Sequence, residues 1–514
     1  MISGVRQIHL KTSMRILFSL LTILMCLPGL NAAEAKTHKP NILFITVDDM
    51  SCDSVGAFGC KLPGTSPNMD KLASQSLRFE YAHVQTGSCM PSRNVMFSGR
   101  YSHNNKVEGF YQVKNPDFPV LADLMSAGGY FTAIHHKVSH STPYHPYKWD
   151  LVLDAGDDRA DNKNIAFYGI STRAGITAAK KAGKPFYLNV NISDPHKPFY
   201  AEGRGGVTVP DANVPSKVFS PEEVPVPGFL PDDPVVRKEL SHYYSSVRRA
   251  DDCLGEILKA LKESGQEENT VVMFLSDHGM PLPFAKTQVY FHSTRTPWMV
   301  RWPGVTKAGS VDKQHMISGV DLLPTLLDIT GIKHPKGMDG RSFLPVLQGK
   351  KQNDREMVFT HHNENSGGNR NPMRAVQTKD YLYIFNPWSD GTRVMGTATS
   401  GTSSWRRMKE LAKNDSKIAA RVELKEHRVP EEFFHVKSDA DCLKNLIADS
   451  ASQKELNRLC AAMEAWMKKT GDPLLPVFQK RNDPAVREAY VKQLEKESAE
   501  RGKRKRGNRK SAED

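Results

Sequence analysis

The chain has 514 residues, of which 39% are hydrophobic and 25% charged, with a formal net charge of +13 and a mean hydropathy of −0.49. That length holds one large domain and a smaller one with ample core, and the composition describes a soluble protein. The charge divides unevenly: +2 in residues 1–35, +5 in residues 501–514 and only +6 in the body between them, an excess that suits an acidic substrate and gives no sign of a nucleic-acid binder.

Residues 1–35 read as a secretory signal. Arg6, Lys11 and Arg15 precede an apolar run, Ile16 to Leu30, and Ala33-Glu34-Ala35 offers a cleavage site. The run is shorter than the roughly 20 residues a bilayer span needs. No second apolar run supports a membrane anchor, so the protein is expected to be exported, to a periplasm or the extracellular space. Cys52, Cys60, Cys89, Cys253, Cys442 and Cys460 remain after processing. Export permits disulfides, and Cys52 with Cys60 and Cys442 with Cys460 are close enough in sequence to pair, although spacing alone does not fix connectivity. No Cys-x-x-Cys occurs, which argues against a zinc ribbon or a thioredoxin-like site.

Pro40 to Val47 is an apolar, β-rich run of the kind buried on both faces of a parallel sheet. Asp48 and Asp49 follow at its carboxyl end, where open α/β sheets place their ligands. Two adjacent carboxylates repel unless a cation sits between them, and oxygen ligands suit Ca²⁺ or Mg²⁺. Ser66 to Ala73 reads as a capped helix. Next comes Ser88-Cys89-Met90-Pro91-Ser92-Arg93, running on to Ser98-Gly99-Arg100. Pro91 suits a first helical position and Gly99 a left-handed helix end. Cys89 is therefore expected just before a helix N-terminus, whose field favours an anion and lowers a thiol pKa. Arg93, a turn later, can reach back toward that anion.

Phe118 to Ala127 reads as a helix and Gly128 to Ile134 as a second core strand, ending in His135-His136-Lys137-Val138-Ser139-His140. Pro185 to Val190 is a third strand, with Asp194-Pro195-His196 past its end. A Pro- and Gly-rich loop, 200–234, is expected to wrap the mouth of the cleft. Pro234 to Ser264 has helical periodicity with Leu240, Tyr244, Val247, Leu254, Ile257 and Leu261 on its apolar side. Thr270 to Leu275 is a fourth strand, delivering Asp277 and His278 to the same sheet edge as Asp48 and Asp49, with Lys286 nine residues beyond Asp277. From about Met357 the texture changes: His361-His362, a hairpin turning at Lys379-Asp380, a strand from Glu431 and a helix from Ser452 to Lys469. Residues 477–514 are charged and read as a disordered basic tail.

The long run Cys89-x-Pro-Ser-Arg93-x-x-x-x-Ser-Gly-Arg100 resembles the signature of type I sulfatases of the alkaline phosphatase superfamily. The resemblance spans roughly residues 40–475. It implies an α/β fold, a large α/β/α sandwich on a mostly parallel sheet with a smaller C-terminal antiparallel sheet. The expected divisions are 36–355 for the catalytic domain and 356–476 for the C-terminal subdomain. It implies that a formylglycine-generating enzyme oxidises Cys89 to formylglycine, whose hydrated aldehyde is the nucleophile. A cation, Ca²⁺ ahead of Mg²⁺, would be held by Asp48, Asp49, Asp277, His278 and residue 89. Arg93, Lys137, His140, His196 and Lys286 would be catalytic. Asp194-Pro195-His196, Tyr243 to Asp251, Ser276 to Pro283 and His361-His362 are similar to the sulfamidase (N-sulfoglucosamine sulfohydrolase) branch, implying a sulfated glycan substrate and substrate contacts from His361 and His362. Two features depart from that branch: His278 stands where it has Asn, and Lys137-x-x-His140 replaces Lys-x-His, which leaves His135, His136 and His140 open. O-sulfatases acting on hexosamine or uronate, and phosphodiesterases or phosphonate hydrolases of the same superfamily, are the alternatives.

Overall fold

Strands that are apolar on both faces must be covered on both, and here helices cover them. In the computed structural model, which describes residues 39–153, 161–366 and 368–510, the four expected strands become β1 (Asn41–Val47), β3 (Phe131–His135), β5 (Phe186–Ile192) and β6 (Thr270–Ser276). They lie side by side in the order β3-β5-β1-β6, all parallel. The expected signal segment lies outside the described residues. Four further strands complete the sheet: β2 (Leu77–His83), β4 (Leu151–Val152), β7 (Met299–Arg301) and β8 (Ser310–Ser318), in the order β4-β3-β5-β1-β6-β7-β2-β8. Only β7 runs antiparallel to its neighbours. β4 and β7 are only two and three residues long, and β2 and β8 carry charged residues within them, so sequence periodicity says little about these four.

The period of two in β1 sorts its side chains into two cores. Leu43, Ile45 and Val47 pack with Tyr168 and Ile176 of the helix Ile165–Lys181 and Leu240, Val247 and Leu254 of the helix Pro234–Glu263. Ile42 and Phe44 face the other way, onto Met96 and Phe97 of the helix Cys89–Ser98 and Leu322 to Leu327 of the helix Leu322–Thr330. A second sheet, β12-β11-β10-β9, is antiparallel and comprises β9 (Met357–Glu364), β10 (Arg370–Thr378), β11 (Leu382–Phe385) and β12 (Glu431–Phe434). Its Val376, Tyr383 and Phe433 pack on Leu459, Met463 and Met467 of the helix Gln453–Thr470. A sandwich on a mostly parallel sheet with a separate antiparallel sheet is the architecture expected.

Three local readings differ. Ser66 does not cap the helix Pro67–Ser74; Asp251, from the long helix packed beside it, accepts from the Asn68 and Met69 amides at 3.0 and 2.7 Å. All six cysteines among the described residues are unpaired. The segment from residue 477, expected to be disordered, is helical at Leu475–Gln479 and Pro484–Lys510. Its charge conceals a few apolar anchors, since Val477, Phe478, Val491 and Leu494 are buried. Ion pairs add to them: Arg393 meets Glu488 at 2.7 Å and Glu495 at 2.9 Å, and Arg370 meets Glu497 at 2.8 Å.

Candidate functional site

The site forms where β1 and β6 end. The Asp277 amide donates to Val47 O at 3.1 Å, continuing the ladder one residue past the strands. Asp49 then takes a left-handed backbone (φ 68°) and donates its amide to Asp277 Oδ1 at 3.1 Å. This lock turns three carboxylates into one buried group. The helix Cys89–Ser98 comes up against it, Ser92 Oγ donating to Asp277 O at 2.7 Å. Gly87 allows the approach, because a Cβ there would meet Ser293 Oγ at 2.1 Å and Gln288 O at 2.7 Å. Gly99, at φ 63°, closes the helix as expected, whereas Pro91 is its third residue rather than its first.

One ligand atom each of Asp48, Asp49, Cys89 and His278 lies within 4.8 Å of all the others, and all four residues are buried. His278 Nε2 is 2.9 Å from Asp49 Oδ1 and 3.3 Å from Cys89 Sγ. Its Nδ1 faces Gly279 O at 3.0 Å, so Nδ1 carries the proton and Nε2 points into the cluster. Asp277 Oδ1 is 3.8 Å from that Nε2, but its Oδ2 is taken by Arg93. Around this centre stand the cations. Lys286 Nζ is 2.5 Å from Asp49 Oδ2, Lys137 pairs with Asp48, and His196 Nε2 is 3.9 Å from Asp49 Oδ2. His196 Nδ1 donates to Lys197 O at 2.7 Å, which leaves Nε2 facing the cluster. The His196 side chain is 37% exposed and Lys137 18%, whereas Asp48, Asp49 and His278 are fully buried; His196 and Lys137 therefore line the way in.

Arg93 is placed differently from the sequence reading. Its fork is committed to protein partners rather than left free for a bound sulfate: Nε and Nη2 meet Asp277 Oδ2 at 3.0 and 2.9 Å, and Nη1 donates to Thr46 Oγ1 at 2.8 Å and Asn191 Oδ1 at 2.6 Å. It orients Asp277. The expectation of a lowered Cys89 pKa is also overturned. Burial, reinforced by the Asp48 and Asp49 charges, pushes the thiol up, outweighing Lys286 and His278. An unmodified Cys89 thiol is thus a poor nucleophile. Burial opposes ionisation of Asp48 as well, but Lys137 and His196 hold its carboxyl well below the usual range, so it is ionised.

The three candidate histidines after β3 separate cleanly. His135 turns away, 3.0 Å from Ser171 Oγ and against Tyr168, and His136 stacks on it at 3.9 Å. His140 lies on the cluster side, its carbonyl held by Asn94 Nδ2 at 2.8 Å and its ring edge-to-face with Phe110 at 5.5 Å. Burial, with Lys137 beside it, holds its pKa down to about 3. His361 and His362 are not brought to the cluster. Both are fully buried in β9, and His361 Nε2 faces Thr86 Oγ1 and the Ser102 amide at 3.4 and 3.3 Å. Thr46 and Asn191 escaped the sequence reading, although a polar residue near the carboxyl end of an otherwise apolar buried strand is a usable signal. Phe110 left none.

The donor set fits a hard divalent cation. Asp48 Oδ1 is buried without a hydrogen-bond partner, ionised carboxylates supply oxygen ligands, and His278 presents a nitrogen.

Residues 40–332 match the sulfatase family, and residues 277–390 match the C-terminal region of N-sulphoglucosamine sulphohydrolase. The chain belongs to the sulfatase family and is a sulfuric ester hydrolase. It is 29% identical to human N-sulphoglucosamine sulphohydrolase over 68% of this chain and 74% of that protein. It is 27% identical to an ulvan-active sulfatase of Formosa agariphila over 87% of this chain and 83% of the relative. A solved structure of a 2-O GAG sulfatase shares the fold, with a TM-score of 0.63 at 21% identity, covering 88% of this chain and 96% of the other. Among the described residues no helix is long and apolar enough to cross a membrane.

Proposed function

We propose that the protein is an exported hydrolase of sulfated glycans that uses residue 89, converted by a formylglycine-generating enzyme, as its nucleophile, with N-sulfoglucosamine as the leading substrate. The observation that carries this reading is the position of Cys89 Sγ: at a helix start, in contact with Asp49 and His278, inside a ring of cations. The aldehyde form would supply a hydrated nucleophile whose carbonyl can re-form to expel sulfate.

The chain's own residues then divide the work. Asp48, Asp49 and His278 would hold the cation, Ca²⁺ in this reading, which would supply charge neutralisation to sulfate oxygens. Asp277, steadied by Arg93, braces Asp49 through its backbone amide. Lys137 and Lys286 present ammonium groups where charge spreads over the sulfuryl oxygens. His196, with Nδ1 committed to a carbonyl, donates from Nε2 to the departing nitrogen or oxygen. His140, held neutral by burial beside Lys137, is the base assigned to the second hydroxyl of residue 89. The match of residues 277–390 to N-sulphoglucosamine sulphohydrolase supports the N-sulfo substrate. An O-sulfated hexosamine or uronate is the second reading, favoured by His278 in place of Asn.

The deciding experiment measures sulfate released from N-sulfoglucosamine and from 6-O- and 2-O-sulfated saccharides, with paired aryl sulfate and aryl phosphate as controls. Release from N-sulfoglucosamine is expected. Release only from the O-sulfated panel overturns the N-sulfo assignment, and preference for aryl phosphate overturns the sulfatase reading itself. A chelator is expected to abolish turnover and lower the melting temperature, because a ligand of the folded state alone stabilises by about 2.7 kcal/mol at a hundredfold excess over its Kd. Added Ca²⁺ should restore both. Active protein without bound metal would contradict the cation site.

A further inference from the structure

The 284–290 loop links the second sheet to the catalytic centre. Lys286 sits between two non-glycine residues with left-handed backbones, Phe284 at φ 68° and Thr287 at φ 62°. Each such residue costs on the order of 1 kcal/mol or more and persists only where its surroundings impose it. On one side the restraint is the Cys89 segment, where the Thr287 amide donates to Gly87 O at 2.6 Å. On the other side it is the stretch from 421 to 432, which runs from within the helix Ser416–His427 into the start of β12. The Arg421 guanidinium lies 4.0 Å over the Phe284 ring. Arg428 Nη2 donates to Gln288 Oε1, and its guanidinium lies 4.2 Å over the Tyr290 ring. Tyr290 OH in turn donates to Glu432 Oε2 at 2.6 Å, and Arg428 Nη1 to Glu432 Oε1 at 3.1 Å. Arg428 and Glu432 have no exposed side-chain surface, and Arg428 itself is held at φ 58°.

A fully buried ion pair is weak evidence of stability, because apolar residues of the same volume commonly do as well. Its value lies in geometry: a planar fork with fixed donors specifies one arrangement of its acceptors. Here the acceptors are Glu432 and the residue two beyond Lys286.

We propose that Arg428 is a positioning residue: through Gln288 it holds the 284–290 loop so that Lys286 Nζ rests on Asp49, making the second sheet a working part of the site. This rests on the reading of Lys286 as a member of that site.

Arg428→Met would strand Glu432 in the interior and risks unfolding, so Gln288→Leu is the primary variant. It cuts the link while leaving the Arg428–Glu432 pair intact. On an aryl sulfate, a misplaced but present Lys286 should lower kcat by roughly 10- to 100-fold with KM changed less than about twofold, at an unchanged melting temperature. In the double variant with Lys286→Ala, Gln288→Leu should add less than about a twofold further loss, since both act through one group. Wild-type kcat in Gln288→Leu, or losses that multiply in the double variant, would overturn the proposal while leaving the site reading intact. Full activity of Lys286→Ala would overturn the site reading and this proposal with it.

Discussion

Cys89→Ala is expected to lower sulfate release by at least about 10⁴-fold, the scale on which removal of a covalent nucleophile acts. The fold should not notice. Cys89 is 2% exposed, and its side chain contacts only Asp49 and His278 among polar partners, so a methyl in its place removes one sulfur and opens little space. Cys89→Ser is the sharper variant. A serine hydroxyl fits the same position but cannot become a carbonyl, so any sulfate it accepts must be removed by water. We expect at most one equivalent of product per enzyme from Cys89→Ser. Multiple turnovers would mean that residue 89 is not the nucleophile or that the aldehyde is dispensable. The elevated thiol pKa agrees with that proposal: burial beside Asp48 disfavours the thiolate, and on the proposed reading residue 89 works only once it is modified.

Arg93→Ala should damage stability and turnover together. The guanidinium is fully buried and meets Asp277, Thr46 and Asn191 through an ion pair and three hydrogen bonds. Removing it leaves Asp277 uncompensated in the interior, which costs about 3–5 kcal/mol and is readable by denaturant titration. Asp277 would then lose its fixed direction, and with it the brace on the Asp49 amide. We expect kcat to fall by about 10²- to 10³-fold, comparable to the loss of one preorganised electrostatic group. Arg93→Lys keeps the charge but not the fork, and should recover much of the stability and little of the rate. A stable, fully active Arg93→Ala would contradict the role given to Asp277.

The parts of the site that follow directly from a strand were legible. Asp48-Asp49 and Asp277-His278 each stand immediately after an all-buried run, so the topology of a parallel sheet carries them to one edge. His196 was legible for the same reason, following β5. Contacts made across the fold were not. The cap on the helix Pro67–Ser74 comes from Asp251, far along the chain, and local preference could not compete with two hydrogen bonds from a packed neighbour. The order of the C-terminal segment depends on a handful of apolar residues diluted in charge. The lowered thiol pKa expected of Cys89 failed because helix-terminus reasoning treats one field alone, whereas burial and the Asp48 and Asp49 carboxylates act on the same thiol. The choice among His135, His136 and His140 needed the turn after β3, where His136 and Lys137 take left-handed backbones and swing His140 to the other face.

The central claim is that residue 89 works as an aldehyde. The most direct test is the mass of the tryptic peptide Phe79–Arg93 from protein made in a host with a formylglycine-generating enzyme, measured alongside the turnover of the same preparation. The account predicts the aldehyde form of residue 89, with activity proportional to the fraction converted. A preparation that turns over at full rate while this peptide carries only the unmodified thiol would contradict it.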